Sequence, residues 1–129
     1  MNMKVSVFVL FLLLSQVSFG QERVATPVLY EFSQVTTIES VVPGGLGRSR
    51  MITSGKDGAM EEVKLENFFS FVGINFENVR NNDKTITDKI TRMYEEGWEL
   101  INTASGVYSA DKSTGIFITR YLFRRVKVS

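Results

Sequence analysis

Thr85-Ile86-Thr87-Asp88-Lys89-Ile90-Thr91-Arg92-Met93-Tyr94-Glu95-Glu96-Gly97-Trp98-Glu99-Leu100 is the stretch that decides the fold. Ile86, Ile90, Met93 and Tyr94 recur at i, i+4, i+7 and i+8, the apolar stripe of an amphipathic helix. Thr85 is placed to cap that helix, with Asp88 three residues on where a capping box usually has Glu or Gln. Gly97 stands where a left-handed residue closes a helix. Trp98 to Thr103 then reads as a strand, entered with almost no linker.

Moving towards the C-terminus, Ser105 to Tyr108 continues this strand past Gly106, which marks a bulge or bend. Asp111-Lys112-Ser113-Thr114-Gly115 makes a turn, and Ile116 to Val128 is the last strand. Two strands across so short a Gly-containing loop should pair as an antiparallel hairpin. Ile116, Ile118 and Leu122 alternate with Phe117, Tyr121 and Phe123, so both faces of the last strand are apolar. That suits a central or interface strand.

On the other side, Val28 to Ile38 is a strand rich in β-branched and aromatic residues, broken by Pro43-Gly44-Gly45-Leu46-Gly47. Arg50 to Thr53 and Ala59 to Leu65 form a candidate hairpin around the Ser54–Gly58 turn. Phe68, Phe69, Phe71, Val72, Ile74 and Phe76 follow in one cluster. Their spacing fits a helix through Val72 as well as an irregular strand. Either way the segment is expected to pack on the core as a flap. The fold class is therefore α+β: a small antiparallel sheet, one main helix in a β-α-β-β core, and an apolar insertion at about 41–82.

The 129 residues include 15 Lys+Arg, 14 Asp+Glu, no His and no Cys. Met1 to Gly20 reads as a secretory signal peptide, with Lys4 in its n-region and an apolar run from Val5 to Leu14 broken only by Ser6. Ser18 and Gly20 set up a cut before Gln21. The run is short for a membrane-spanning helix, which needs about 20 apolar residues. With no Cys behind it, a bacterial lipoprotein anchor is chemically excluded. The expected product is a single domain from 21 to 129, secreted or periplasmic, with no stable membrane insertion after cleavage. Lys4 is the only charge in the leader, so the remainder has 14 basic and 14 acidic side chains. A balanced chain offers no global field for nucleic acid. Without His or Cys, nucleophilic systems and metal sites built on those residues are excluded.

Three pieces of the chain carry a resemblance: Tyr30-Glu31-Phe32, Glu96-Gly97-Trp98-Glu99-Leu100, and Tyr121-Leu122-Phe123-Arg124-Arg125. Together they resemble the small bacterial domain-of-unknown-function family 4177. The resemblance spans Val28 to Ile38 and Thr85 to Lys127. It implies a β-α-β-β domain with one helix on a small antiparallel sheet, and no established activity. Phe32 stands where the family has a second Tyr, and the segment from Val41 to Asn82 is longer than the family's connection.

Trp98 is either a ligand anchor or the largest piece of the helix–sheet core, and small cores favour the second. Arg48 and Arg50, behind the glycines of 43–47, are candidate anion-binding residues. The segment lacks the Gly-Lys-Ser/Thr of a P-loop. Glu61-Glu62, Glu66 and Glu95-Glu96 are the carboxylates a hydrolase would draw on, although adjacent Glu pairs more often form a solvated face. Asn81-Asn82-Asp83 with Asp88 lacks calcium-loop spacing and is better explained by helix capping. Arg120 and Arg124 share one face of the last strand, Arg125 and Lys127 the other, where they would guard a strand end.

These readings expect no catalytic residue, no metal and no cofactor. They point to a non-enzymatic binding or self-assembling module, with a carboxylate/Arg-based hydrolase as the alternative. The second apolar face of the last strand needs cover from Phe68–Phe76 or from a second copy in a homo-oligomer.

Overall fold

The computed structural model describes residues 26–41, 48–55, 58–70, 72–109 and 115–128. The segment read as a signal peptide lies outside them, as do the glycines of 43–47 and the turn at 111–114.

Strand β1 (Tyr30–Ser40) is followed by β2 (Arg50–Ser54) and β3 (Met60–Lys64), a short hairpin β4–β5 (Phe69–Ser70, Gly73–Ile74), helix α1 (Phe76–Glu95), and strands β6 (Glu99–Ser109) and β7 (Gly115–Val126). Five strands form one antiparallel sheet in the order β3-β2-β1-β7-β6. The fold is α+β. β1 and β7 pair over their whole length, from Tyr30 opposite Val126 to Ser40 opposite Ile116. The hairpin read at Arg50–Leu65 is present, and it extends the sheet beyond β1. Part of the insertion is thus sheet rather than flap.

α1 begins nine residues before the expected start. Asn75 is the cap, its Oδ1 accepting from the Glu77 and Asn78 N–H groups at 3.1 and 3.3 Å. Thr85 lies within the helix and donates instead to the Asn81 carbonyl at 2.9 Å. The missed half is polar because one inward position is Asn82, fully buried, which prolongs the stripe of Ile86, Ile90 and Met93 by hydrogen bonding instead of apolar contact. Asn82 Oδ1 accepts from the Glu66 N–H at 2.7 Å, and its Nδ2 donates to the Glu66 carbonyl at 2.8 Å. One side chain therefore satisfies both backbone groups of a residue in the insertion. Asn78 does similar work, donating to the Asn67 carbonyl at 2.8 Å.

The helix closes as the sequence implies. Trp98 N–H donates to the Met93 carbonyl at 2.9 Å and Gly97 N–H to Tyr94 at 3.0 Å, with Gly97 at φ +84°. This is a Schellman closure, and its usual apolar contact is present because Trp98 and Met93 share the core. That core lies between α1 and one sheet face: Val35, Met51, Leu65, Ile86, Met93, Trp98 and Phe123, with Val63, Ile90 and Tyr121 against it. Lys89 is also buried, its stem among these residues and its Nζ 2.7 Å from Glu61.

Two details differ from the sequence reading. β6 runs straight through Gly106, and its irregularity falls between Leu100 and Asn102. Of the Phe cluster, Phe69 and Ile74 lie in the short hairpin β4–β5 and Phe76 opens α1, while Phe71 lies outside the described residues. Phe68 packs on Phe117 with ring centroids 5.9 Å apart, while Val72, Ile74 and Phe76 are exposed.

Candidate functional site

The three sequence pieces of the resemblance converge at one end of the sheet. Arg125, on the helix side of β7, lies with its guanidinium 4.3 Å from the Trp98 ring centroid. It also reaches the Glu31 carboxylate at 2.6 Å and donates to the Glu96 carbonyl at 2.9 Å. On the opposite face Arg124 bonds Glu99 at 2.8 Å and stacks 4.8 Å over Tyr30. First strand, helix end and last strand are clasped from both sides. Because β7 is interior, Arg124 and Arg125 do not guard a strand end as the sequence suggested. Trp98 is a core residue, 6% exposed.

Alternation along β7 turns Phe117, Tyr121 and Phe123 to the helix and Ile116, Ile118 and Leu122 to the other face. Register extends that second face over the sheet. Phe32, Ile38 and Ile52 join it from β1 and β2, and Ala104, Gly106 and Tyr108 from β6. Among the described residues no element lies over it; Phe68 packs on the helix side. Phe32 and Tyr108 are more than 60% exposed. At the β6–β7 end is a hollow of about 320 Å³. Its wall and floor include Ala104, Gly106, Tyr108, Ile118 and Arg120. A Cβ at Gly106 would meet nothing within 4 Å, so the missing side chain leaves open space above the strand. Arg120 is exposed at its rim, whereas Arg50 and Arg124 on the same face are paired with Glu62 and Glu99.

The helix side holds a small polar group. The Glu39 carboxyl is raised above its ordinary range by burial, against the pull of the Asn82 amide at 3.2 Å; the Asp83 charge adds to the rise. Tyr121 is likewise raised, chiefly by burial and then by Glu39, with the nearby Thr37 hydroxyl acting the other way. Thr37 Oγ1 is enclosed and has no partner at hydrogen-bond geometry among the described residues.

The other candidates are dispersed. Arg50 Nη1 bonds Glu62 at 3.0 Å and its Nε donates to the Arg48 carbonyl at 3.4 Å; Arg48 is exposed. Glu61 and Glu62 point to opposite faces of β3, one to Lys89 and one to Arg50, and Lys89 holds the Glu61 carboxyl below its ordinary range. Glu66 is tied through its backbone to Asn82, and Glu95 and Glu96 lie at the end of α1. Asp88 bonds Lys84 one turn back at 2.6 Å. The sequence reading assigns Asn81-Asn82-Asp83 to helix capping, but all three lie inside α1, whose cap is Asn75. It does not single out Glu39, whose partner Asn82 lies 43 residues away in the chain.

No protein-family model, no curated protein and no solved structure matches this chain.

Proposed function

We propose that this chain is an exported, non-enzymatic interaction module whose working surface is the open face of its sheet. One observation supports this above the rest: α1 covers one face, while the other displays Phe32, Tyr108, Ile118 and Leu122 with no described element upon it. Contiguous apolar surface on a folded domain usually marks a place where something binds. The leader at 1–20 would deliver the domain to the periplasm or beyond. The resemblance to family 4177 is carried by residues that the clasp at Arg125 and Arg124 uses for stability. It therefore bears on fold before function.

The hydrolase alternative would rest on Glu39, whose carboxyl holds its proton more tightly than an ordinary glutamate because of its burial. Its bonded neighbour is an amide, and the paired Glu61 and Glu62 are divided between the two faces.

A comparison of the protein with its Ile118→Lys/Leu122→Lys variant tests the reading. Each is immobilised and challenged with the envelope fraction of the native host. The same species, other than this chain itself, should be retained by the protein and lost with the variant. Identical retention by both would refute the open face as the working surface.

A further inference from the structure

The sheet has two edges, and the chain treats them differently. β3 is five residues long and carries Glu61, Glu62 and Lys64, the charged, abbreviated form that discourages stray pairing. β6 is eleven residues long. Beyond Glu99 it has no charged residue and no proline, and every position from Glu99 to Tyr108 is exposed. Among the described residues its only strand neighbour is β7. Its outward N–H and C=O groups therefore form a ready template for another strand.

We propose that two copies of this chain join β6 to β6, antiparallel across a two-fold axis, so that two five-stranded sheets become one. This inference concerns the edge and stands apart from the reading of the open face.

The identity of the occupant follows from the strand itself. Residues paired across an antiparallel junction share a face, so a two-fold axis normal to the sheet must lie midway between the two copies of one residue of β6. Centred on Ser105, it uses the whole straight run that follows the irregularity at Leu100/Asn102. Asn102 then faces Tyr108 of the second copy, Thr103 faces Val107, and Ala104 faces Gly106. No residue between Asn102 and Tyr108 is charged, so no like charges oppose each other in these pairs. On the open face Ala104 and Gly106 keep the junction low, so the hollow beside Tyr108 and Arg120 continues towards the Asn102 of the second copy. The guarded β3 edge explains why the assembly would close at two: with both edges bare, the same pairing would run on as a filament.

The test is the molar mass by light scattering over about a hundredfold dilution, with thermal unfolding of each variant as a check on its fold. The protein should show twice its monomer mass when concentrated and dissociate on dilution. Thr103→Lys with Val107→Lys sets lysine against lysine twice across the junction and should weaken the dimer about tenfold or more. Thr103→Glu with Val107→Lys turns both oppositions into attractions and should restore it. Ile118→Lys, on the open face, should leave the dimer intact. Four results would each overturn the proposal: a monomer at every concentration, a dimer indifferent to the lysine pair, no rescue by the glutamate–lysine pair, or a dimer broken by Ile118→Lys.

Discussion

Arg125 stacks 4.3 Å over the Trp98 ring while its guanidinium holds the Glu31 carboxylate at 2.6 Å. Residues 31, 98 and 125 are brought to one point only because β1 and β7 are neighbours and Gly97 turns Trp98 under the helix.

Replacing Arg125 should therefore cost more than a surface ion pair does. Arg125→Ala should destabilise the domain by about 2–3 kcal/mol, combining a desolvated cation–π contact with a charge-assisted hydrogen bond. Arg125→Lys should recover only part of this, because one ammonium cannot stack, bond a carboxylate and reach the Glu96 carbonyl together. Urea unfolding at constant m measures both. Equal stability of Arg125→Ala and the parent would show the clasp to be ornamental.

Trp98→Ala should cost about 3–5 kcal/mol, the range for truncating a large buried aromatic. The emission of Trp98 should be blue-shifted in the folded protein and move to the red on unfolding. Water-like emission before unfolding would contradict its burial.

Asn82→Ala should remove about 1–3 kcal/mol, because it takes the amide partner from the N–H and C=O of Glu66. Asn82→Leu should fare no better despite its apolar bulk. Hydrogen exchange at the Glu66 amide would report the loss directly, and an unchanged rate would contradict the assignment.

Asn82 also shows why part of the fold was hidden in the sequence. Gly97-Trp98 was legible because a positive φ and a buried aromatic are local demands of one closing turn. The start of α1 was not, since its inward side at that point is an amide and periodicity counts only apolar side chains. The β6 irregularity sits at Leu100/Asn102 because pairing with β7 sets it, not because a glycine invites it. The described part of the Phe cluster divides between half-buried Phe68 and Phe69 and exposed Val72, Ile74 and Phe76, which composition alone could not apportion. The open face was half legible: two apolar sets on the last strand were visible, but which one α1 covers depends on register.

Glu39 gives a pH dependence of definite sign. Its folded carboxyl is raised, so the folded state holds the proton more tightly, and stability falls as pH rises from the ordinary glutamate range through the folded value. Glu39→Gln keeps an oxygen for the Asn82 amide and should stabilise the protein at neutral pH. The advantage should vanish below the ordinary glutamate range, where the native carboxyl is protonated in both states. Thermal unfolding from about pH 3 to about pH 8, a span that brackets the ordinary glutamate range, would show it. A neutral-pH loss of stability in Glu39→Gln would contradict the sign.

Protein recovered from its native host should begin at Gln21, and intact mass with N-terminal analysis would show this. A membrane-bound chain still starting at Met1 would remove export by a cleaved leader from the account.

The most direct measurement of the β6 junction is amide hydrogen exchange along β6, read at a high and a low protein concentration. In a lone copy the outward N–H groups between Asn102 and Ser109 face solvent and exchange fast. The account predicts that alternate amides of this run become protected at high concentration and lose that protection on dilution, while the β1 amides stay unchanged. Fast exchange of the outward β6 amides at both concentrations would contradict it.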